Sequence, residues 1–315
     1  MATVLFLSHR EHACGIQQWG KRAAKVLSRA QKHLFEYREV ESEDEFRGFV
    51  SAINPDIIIY NYHISTMTWL NPILLDEFRS RKQTVIIHEG FAHPENEHSF
   101  DYYVYIDPEI ELDSKWSHKV FKVGRTLLEY SGEYKNNTIP TIGSFGFGFA
   151  NKQYEHIVRS VNNEFDDAII NLLIPFAKFG DSSGDAARLS VDRCRAEIHK
   201  PGIKLNVSHE FLPEESVLEF LAGNDINAFF YADMPGRGIS SAVDYALSVK
   251  RPMILTNTYM FRHINNHISH SISIETSSIK QVMSYGIEPL KPFYELWSNE
   301  NFISAFEGVV DAILK

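Results

Sequence analysis

Hydrophobic residues follow two alternating patterns along the chain. Short apolar runs, such as Thr3–Ser8 (TVLFLS) and Asp56–Tyr62 (DIIIYNY), are typical of strands covered on both faces of a parallel sheet. From Gly15 onward, by contrast, apolar residues recur at helical spacing. Because strands that alternate with helices form βαβ units, the pattern predicts parallel sheets with right-handed crossovers.

The alternation extends over most of the sequence. The predicted strands are 3–8, 34–40, 56–62, 84–88, 102–106, 119–123, 141–145, 169–175, 204–209, 226–231 and 252–256. The predicted helices are one from Gly15 and those at 43–53, 72–81, 152–163, 184–199, 214–221, 240–249 and 301–314.

A polar stretch at 125–140 interrupts this series and ends in Pro140, which indicates a linker. We therefore expect an N-terminal domain over 1–138 and a C-terminal domain over 139–315, with the last helix free to pack back on the first domain. The predicted fold class is α/β, with two Rossmann-like doubly wound parallel sheets facing a central cleft. Ligands of such folds bind beyond the carboxyl ends of the strands.

Charge and composition narrow the classes of function. The chain has 315 residues, with 31 basic against 41 acidic side chains, so a nucleic-acid partner is not favoured. Cys14 and Cys194 cannot build a disulfide framework. The N-terminal apolar run is too short for a signal peptide, and no run reaches the roughly 20 residues that span a bilayer. We expect a cytoplasmic enzyme, and peripheral contact with a membrane is left open.

Several titratable residues follow the predicted strands of the first domain. His88 ends the run TVIIH, and His63 ends DIIIYNYH in the same way. The near-neutral pKa of a histidine suits hydrogen bonding or proton transfer at such a position. The alternative is a capped or solvated loop histidine. The candidates for catalytic residues are His88, Glu89, His63 and His12, with Glu11 in reserve.

The loop 88–101 is rich in histidine and acidic residues, which can ligate a metal. Its spacing does not match a helical metal-binding pattern, and no cysteine assists. We therefore expect a solvated loop, and we expect neither a metal nor another cofactor.

The loop at 143–152 joins a predicted strand to a predicted helix. It has three glycines, at positions 143, 146 and 148, and ends at Lys152. A cation near a helix start suits a diphosphate. The loop lacks the Gly-Lys-Ser/Thr ending of a P-loop and the spacing of a dinucleotide fingerprint, and the alternation of Gly with Phe could be packing alone.

The segment 234–247 (MPGRGISSAVDYAL) is the sharpest motif. Its glycines expose backbone N–H groups, Ser240 and Ser241 add hydroxyls, and Arg237 adds a fixed cation with bidentate geometry. These features favour a phosphate-binding site, with Asp244 in reach of a ribose hydroxyl. A plain N-cap by Ser240 is the alternative, but it explains neither Arg237 nor both glycines.

In order and spacing, these motifs resemble GT-B glycosyltransferases, most closely family 4. The resemblance covers most of the chain and includes Gly15, His88, the element from Gly143 to Lys152, and 212–254 with its Gly-rich turn. It implies a donor-binding set of Gly15, Ser144, Lys152, Phe211, Arg237, Gly238, Ile239, Ser240, Ser241 and Asp244.

The chain also departs from the family pattern. Two glutamates usually flank the Gly-rich turn and the helix that follows, and here Arg237 and Tyr245 occupy those positions. The family also usually has an arginine shortly before the lysine that corresponds to Lys152. That arginine is absent here, and Ser144 lies near its position. A retaining outcome therefore does not follow from the resemblance.

The resemblance implies a metal-independent transferase of hexosyl or related groups, acting in polysaccharide biosynthesis. The donor would be a nucleotide-diphosphate sugar. The acceptor would be a glycan, a lipid-linked sugar or another hydroxyl compound. A catalytically inactive nucleotide-sugar-binding or scaffold module is the alternative function. An epimerase of the same fold is a third possibility, and it needs more acid and base groups than the sequence provides.

Overall fold

The computed structural model describes residues 1–88, 100–178 and 180–315, which form two compact units. The first unit comprises 1–126 with 296–315, and the second comprises 127–295. The strands of the described residues are β1 (Thr3–Ser8), β2 (Leu34–Glu39), β3 (Ile57–Tyr60), β4 (Lys82–Ile87), β5 (Tyr102–Tyr105), β6 (Val120–Lys122), β7 (Thr141–Phe145), β8 (Asp167–Leu173), β9 (Gly202–Ser208), β10 (Ile226–Phe229) and β11 (Met253–Leu255). The α-helices of the same residues are α1 (Gly15–Leu27), α2 (Glu43–Ile53), α3 (Pro72–Glu77), α4 (Tyr154–Glu164), α5 (Asp185–Ala196), α6 (Glu214–Ala222), α7 (Ala242–Ser248), α8 (Arg262–Ile272), α9 (Ile279–Tyr285), α10 (Lys291–Leu296) and α11 (Asn299–Leu314).

The first unit is built on a parallel sheet of six strands in the order β2-β1-β3-β4-β5-β6. The apolar runs that predict β1 and β3 are buried on both faces, as helices on either side of a parallel sheet require. Strands β1, β3 and β4 are neighbours, so the residues that follow them lie at one edge of the sheet.

Helix α11, at the end of the chain, completes the core of the first unit. Its buried residues Phe302, Phe306 and Val310 belong to the same apolar cluster as Trp19 of α1. The Glu307 carboxylate accepts the backbone N–H groups of Gln31 and Lys32, at 3.1 and 2.7 Å. The last helix therefore packs on the N-terminal sheet.

The second unit is built on a parallel sheet of five strands in the order β11-β10-β7-β8-β9. A chain of asparagine amides crosses it: Asn206 donates to Asn171 at 3.0 Å, Asn171 to Asn224 at 2.9 Å, and Asn224 to Asn227 at 3.1 Å. Gly143 of β7 lies beneath this chain, and a Cβ atom there would meet the Asn224 amide nitrogen at 1.9 Å. Glycine at 143 thus leaves room for the amides. Together the two sheets confirm the prediction of an α/β fold with two parallel sheets.

The boundary between the units lies at 126/127, whereas the sequence predicts it at 138/139. The physical reason is that the polar stretch docks on the second unit. The Leu128 backbone N–H donates to the Ser248 hydroxyl at 2.8 Å, and the Asn137 amide donates to the Asp225 carboxylate at 3.1 Å.

Helices α8, α9 and α10 occupy a stretch for which the sequence pattern predicts no element. In the described part of the chain, no helix combines the length and the apolar character that a bilayer crossing requires.

Candidate functional site

Three polar side chains meet where neighbouring strands of the first sheet end. His9 follows β1, Asn61 follows β3 and His88 follows β4. His88 Nε2 lies 2.5 Å from Asn61 Oδ1, and its ring stands edge-on to Trp19 at 5.1 Å between centroids. The ring of His63, two residues beyond Asn61, lies 5.9 Å from that of His9. The sheet order thus brings together three imidazoles from distant parts of the sequence.

Asn61 fixes the hydrogen-bonding role of His88. The Asn61 amide nitrogen donates to the Ser8 hydroxyl at 2.9 Å and to the Ile16 carbonyl at 2.8 Å. Because that carbonyl can only accept, the Asn61 oxygen must face His88 and accept from it. In the neutral ring, the proton therefore resides on Nε2, and Nδ1 is the acceptor nitrogen.

The surroundings hold the imidazoles of buried His9 and half-buried His88 neutral. Burial, together with the nearby Arg125 guanidinium and the imidazoles of His63 and His9, lowers the pKa of His88 to about 3. Burial and His63 also lower the pKa of His9 to about 4, against an opposing effect of Glu11 and Glu39. At neutral pH the imidazoles of His9 and His88 are therefore uncharged hydrogen-bonding groups, and His88 is a weak base.

The other predicted residues of this edge differ in exposure. Glu11 is half-buried, and its carboxylate accepts the Ala13 backbone N–H at 3.2 Å. His12 is exposed, and so is Gly15, where a Cβ would meet nothing within 4 Å. Glu89 lies outside the described residues, as does most of the His-rich loop that follows it.

In the second unit, Lys152 lies against an aromatic ring. Its ammonium is 3.6 Å from the ring centroid of Tyr231, which follows β10 and is buried. Lys152 belongs to a 3-10 helix, Ala150–Lys152, one residue before the αL residue Gln153 that precedes α4. A backbone bond from Ala232 to Asn151, at 2.8 Å, joins the loops that follow β10 and β7.

Arg237 and Arg262 bring further positive charge to the same edge of the second sheet. Arg237 is exposed beside Gly236, whose φ of +83° favours glycine. Arg262 donates to the Arg237 carbonyl at 3.3 Å and to the Tyr259 carbonyl at 2.6 Å, and its guanidinium lies 3.9 Å from the Tyr259 ring centroid. Two arginines thus share the loops that follow β10 and β11.

The rest of the Gly-rich motif is more buried than the sequence suggests. Helix α7 begins at 242 rather than 240, and the Ser240 hydroxyl accepts the Ala242 backbone N–H at 3.4 Å. Gly238 and Ile239 are buried, and Ser241 is half-buried. Asp244 has no exposed surface, so its carboxylate is not presented to solvent.

Two further residues of the predicted donor-binding set differ in accessibility. Ser144 is 1% exposed within β7, and its hydroxyl lacks a hydrogen-bond partner among the described residues. Phe211, in the loop after β9, is 43% exposed. Its ring lies nearly parallel to that of Phe147, with an angle of 21° and 6.5 Å between centroids. The two phenylalanines offer an accessible aromatic surface.

Nowhere in 1–88, 100–178 or 180–315 do three or more His, Cys, Asp or Glu side chains group as a metal site would require.

Sequence reasoning missed four residues of these two edges: His9, Asn61, Tyr231 and Arg262. His9 comes directly after a predicted strand and Asn61 lies next to the last residue of one, positions close to the strand end that selects His88 as a candidate. Tyr231 also ends an apolar run. Arg262 lies in the stretch where no element is predicted, so the pattern gives no signal for it.

No protein-family model matches the sequence, and no curated protein sequence matches it significantly. Solved structures match it over the whole chain. A glycosyltransferase from Rickettsia africae ESF-5 has a TM-score of 0.68 at 9% identity, covering 100% of this chain and 99% of that one. Sucrose-phosphate synthase from Thermosynechococcus elongatus has a TM-score of 0.69 at 8% identity, again covering 100% of this chain and 99% of that one.

Anabaena Alr3699/HepE, solved in complex with UDP-glucose, has a TM-score of 0.63 at 10% identity, covering 99% of this chain and 100% of that one. Identities this low show the fold alone. The predicted GT-B class of fold is confirmed by these matches, and the structures that share it include glycosyltransferases that bind UDP-sugars.

Proposed function

We propose that the chain is a glycosyltransferase that uses a nucleotide-diphosphate sugar. The observation that carries this proposal is the cationic edge of the second sheet: a backbone hydrogen bond joins the segments that contain Lys152 and Arg237, and the guanidinium of Arg262, at the start of α8, donates to the Arg237 carbonyl. A diphosphate needs such a concentration of cations, and the acidic chain as a whole does not attract polyanions. The shared fold with UDP-sugar-binding transferases supports the same conclusion.

The second unit would hold the donor. Lys152 and Arg237 would bind the diphosphate and stabilise the charge that develops on it as the glycosidic bond breaks, a task that needs no metal. Arg262 would join them, and the exposed ring of Phe211 would cover the base. Gly238, Ile239, Ser240 and Ser241 stay in the proposed donor set of the second unit, and Gly15 stays a candidate residue of the first unit. Ser144 and Asp244 are left out because they are 1% and 0% exposed.

The first unit would hold the acceptor, a carbohydrate or another hydroxyl compound. The neutral imidazoles of His9 and His88 suit hydrogen bonds to sugar hydroxyls. A pKa of about 3 makes His88 a poor general base at neutral pH, so its proposed task is to orient a sugar through Nδ1. If the reaction inverts, the base would come from His63, His12, Glu11 or Glu89.

Titration calorimetry with UDP and with UDP-glucose tests the donor site. Wild type should bind both, and Lys152→Ala should weaken binding by about 10- to 100-fold, the value of a charge-assisted hydrogen bond. Lys204→Ala, at an exposed lysine of β9, is the matched control and should bind as wild type does. Equal affinity in the Lys152 variant would remove the phosphate-binding role.

A nucleotide-sugar-binding module without catalysis is the second candidate. The observation that favours it is the replacement of both expected glutamates by Arg237 and Tyr245. Incubation of wild type with UDP-glucose and mixed glycan acceptors separates the two functions. Binding with neither transfer nor hydrolysis would establish the module.

A further inference from the structure

His9 has one ring nitrogen that is satisfied and one that is not. The side chain is 2% exposed. Its Nδ1 accepts the backbone N–H of Glu11 at 3.2 Å, which fixes the turn after β1. Its Nε2 is buried and has no hydrogen-bond partner within 1–88, 100–178 or 180–315.

This arrangement determines where the proton lies. A nitrogen that accepts an N–H must offer its lone pair, so Nδ1 is unprotonated. Burial and the neighbouring His63 keep the ring neutral, with a pKa of about 4. The single proton is therefore on Nε2, and His9 has a hydrogen-bond donor with no acceptor among the described residues. A buried donor of this kind needs an acceptor that the described residues do not supply, such as a ligand oxygen or a water.

The neighbouring charges restrict which ligand atom fits. The carboxylates of Glu11 and Glu39 are close enough to His9 to oppose the lowering of its pKa. An anionic ligand at Nε2 would therefore be repelled by two negative charges. An uncharged hydroxyl oxygen accepts an N–H without that repulsion. His88 differs from His9, because its Nε2–H already donates to Asn61.

We infer that His9 is a substrate-binding residue whose Nε2–H donates to an uncharged hydroxyl of a bound sugar, and that it is not the general base. The inference rests on the proposed function, which brings a carbohydrate to this edge of the first sheet. The hydroxyl belongs either to the acceptor or to the sugar that is transferred. Both sources share the same chemistry, and the kinetics separate them.

Two substitutions of His9 test the two ring nitrogens separately. His9→Asn keeps an acceptor near the position of Nδ1 for the Glu11 N–H and removes the outer donor. His9→Gln puts an amide N–H near the position of Nε2 and cannot take up a proton there. Thermal unfolding of both variants checks that the turn after β1 is intact.

Steady-state transfer from UDP-glucose to a glycan acceptor gives the readout. We expect His9→Asn to raise one KM by about tenfold, which corresponds to one neutral hydrogen bond, with kcat little changed. A rise in the acceptor KM assigns the hydroxyl to the acceptor, and a rise in the donor KM assigns it to the transferred sugar. We expect His9→Gln to recover most of the lost affinity.

Three results would overturn the inference. If both variants lose kcat by about 10²- to 10⁴-fold and the pH profile loses its acidic limb, His9 is a general base. If both variants act as wild type does, its N–H contacts no substrate. If wild type neither binds nor transfers any nucleotide sugar, the proposed function fails as well, and that outcome is distinct from the other two.

Discussion

The ammonium of Lys152 lies 3.6 Å from the ring centroid of Tyr231. Phe261 holds the ring in place at 4.6 Å between centroids, and the Thr256 hydroxyl donates to the Tyr231 carbonyl at 2.9 Å. A contact between a cation and a ring contributes from about 0.5 kcal/mol when exposed to about 2 kcal/mol when desolvated, and Lys152 is half-buried. Tyr231 therefore positions the cation that the proposed donor site depends on.

Replacing Tyr231 should weaken UDP binding through Lys152. We expect Tyr231→Leu to lower the affinity by about 3- to 30-fold, because the ammonium loses the ring face that orients it. Tyr231→Phe keeps that face and should bind nearly as wild type does. Calorimetry on both variants, alone and combined with Lys152→Ala, measures the coupling. Additive losses in the double variant would show that the two residues act independently.

Gly143→Ala should destabilise the second unit. The added Cβ would lie 1.9 Å from the Asn224 amide nitrogen, so the asparagine chain must move or break. We expect a loss of about 1–3 kcal/mol in urea unfolding. Gly308→Ala, in α11 with nothing within 4 Å of the new Cβ, is the control and should stabilise by about 0.5–1 kcal/mol. An unchanged midpoint for Gly143→Ala would mean that Asn224 moves aside at little cost.

Stability should fall as the pH decreases from about 6.5 toward 4. Over this range, the unfolded chain protonates His9 and His88, whereas the folded chain keeps both neutral, with pKa values of about 4 and 3. Each histidine adds up to about 1.4 kcal/mol per pH unit to the slope. Urea unfolding at pH 7, 6 and 5 should give a shallower dependence in the double variant His9→Gln/His88→Gln.

The control for this pH dependence is His199→Gln, at an exposed histidine of the second unit. It should leave the slope unchanged. A double variant with the slope of wild type would show that other groups cause the acid sensitivity.

Truncating Phe306 should destabilise the first unit, although this residue is distant in sequence from the strands it covers. Phe306 is fully buried beside Phe302, at 4.9 Å between rings. We expect Phe306→Ala to cost about 3–5 kcal/mol in chemical unfolding. Leu314→Ala, at a residue 46% exposed, should cost little. Similar losses in both variants would indicate that the whole helix has detached.

The periodicity predicted most of the fold because nearly every strand is a short apolar run. It failed between 257 and 298, where histidine, asparagine and serine are frequent and are weak helix formers. Helix α8 is in addition interrupted at Ile268, whose φ of −142° is not helical. These helices form through contacts in the folded unit, and a local pattern does not record such contacts.

The candidate site was only partly predictable for a different reason. The sequence places His9, Asn61 and His88 at or near the ends of predicted strands, but their proximity depends on which strands are neighbours. The fixed tautomers depend in turn on single hydrogen bonds, such as that from Asn61 to the Ile16 carbonyl. Residue spacing contains neither kind of information.

The asparagine chain across the second sheet has a direction. Each amide donates to the next, from Asn206 through Asn171 and Asn224 to Asn227, whose nitrogen donates to the Leu221 carbonyl at 3.2 Å. That carbonyl cannot donate, so no single amide can turn over without forcing the others to turn as well. The four side chains therefore behave as one unit with one orientation. Their dipoles reinforce one another along the row, and a change of any of the four asparagines to aspartate would remove the N–H group it donates and leave two oxygen atoms facing each other.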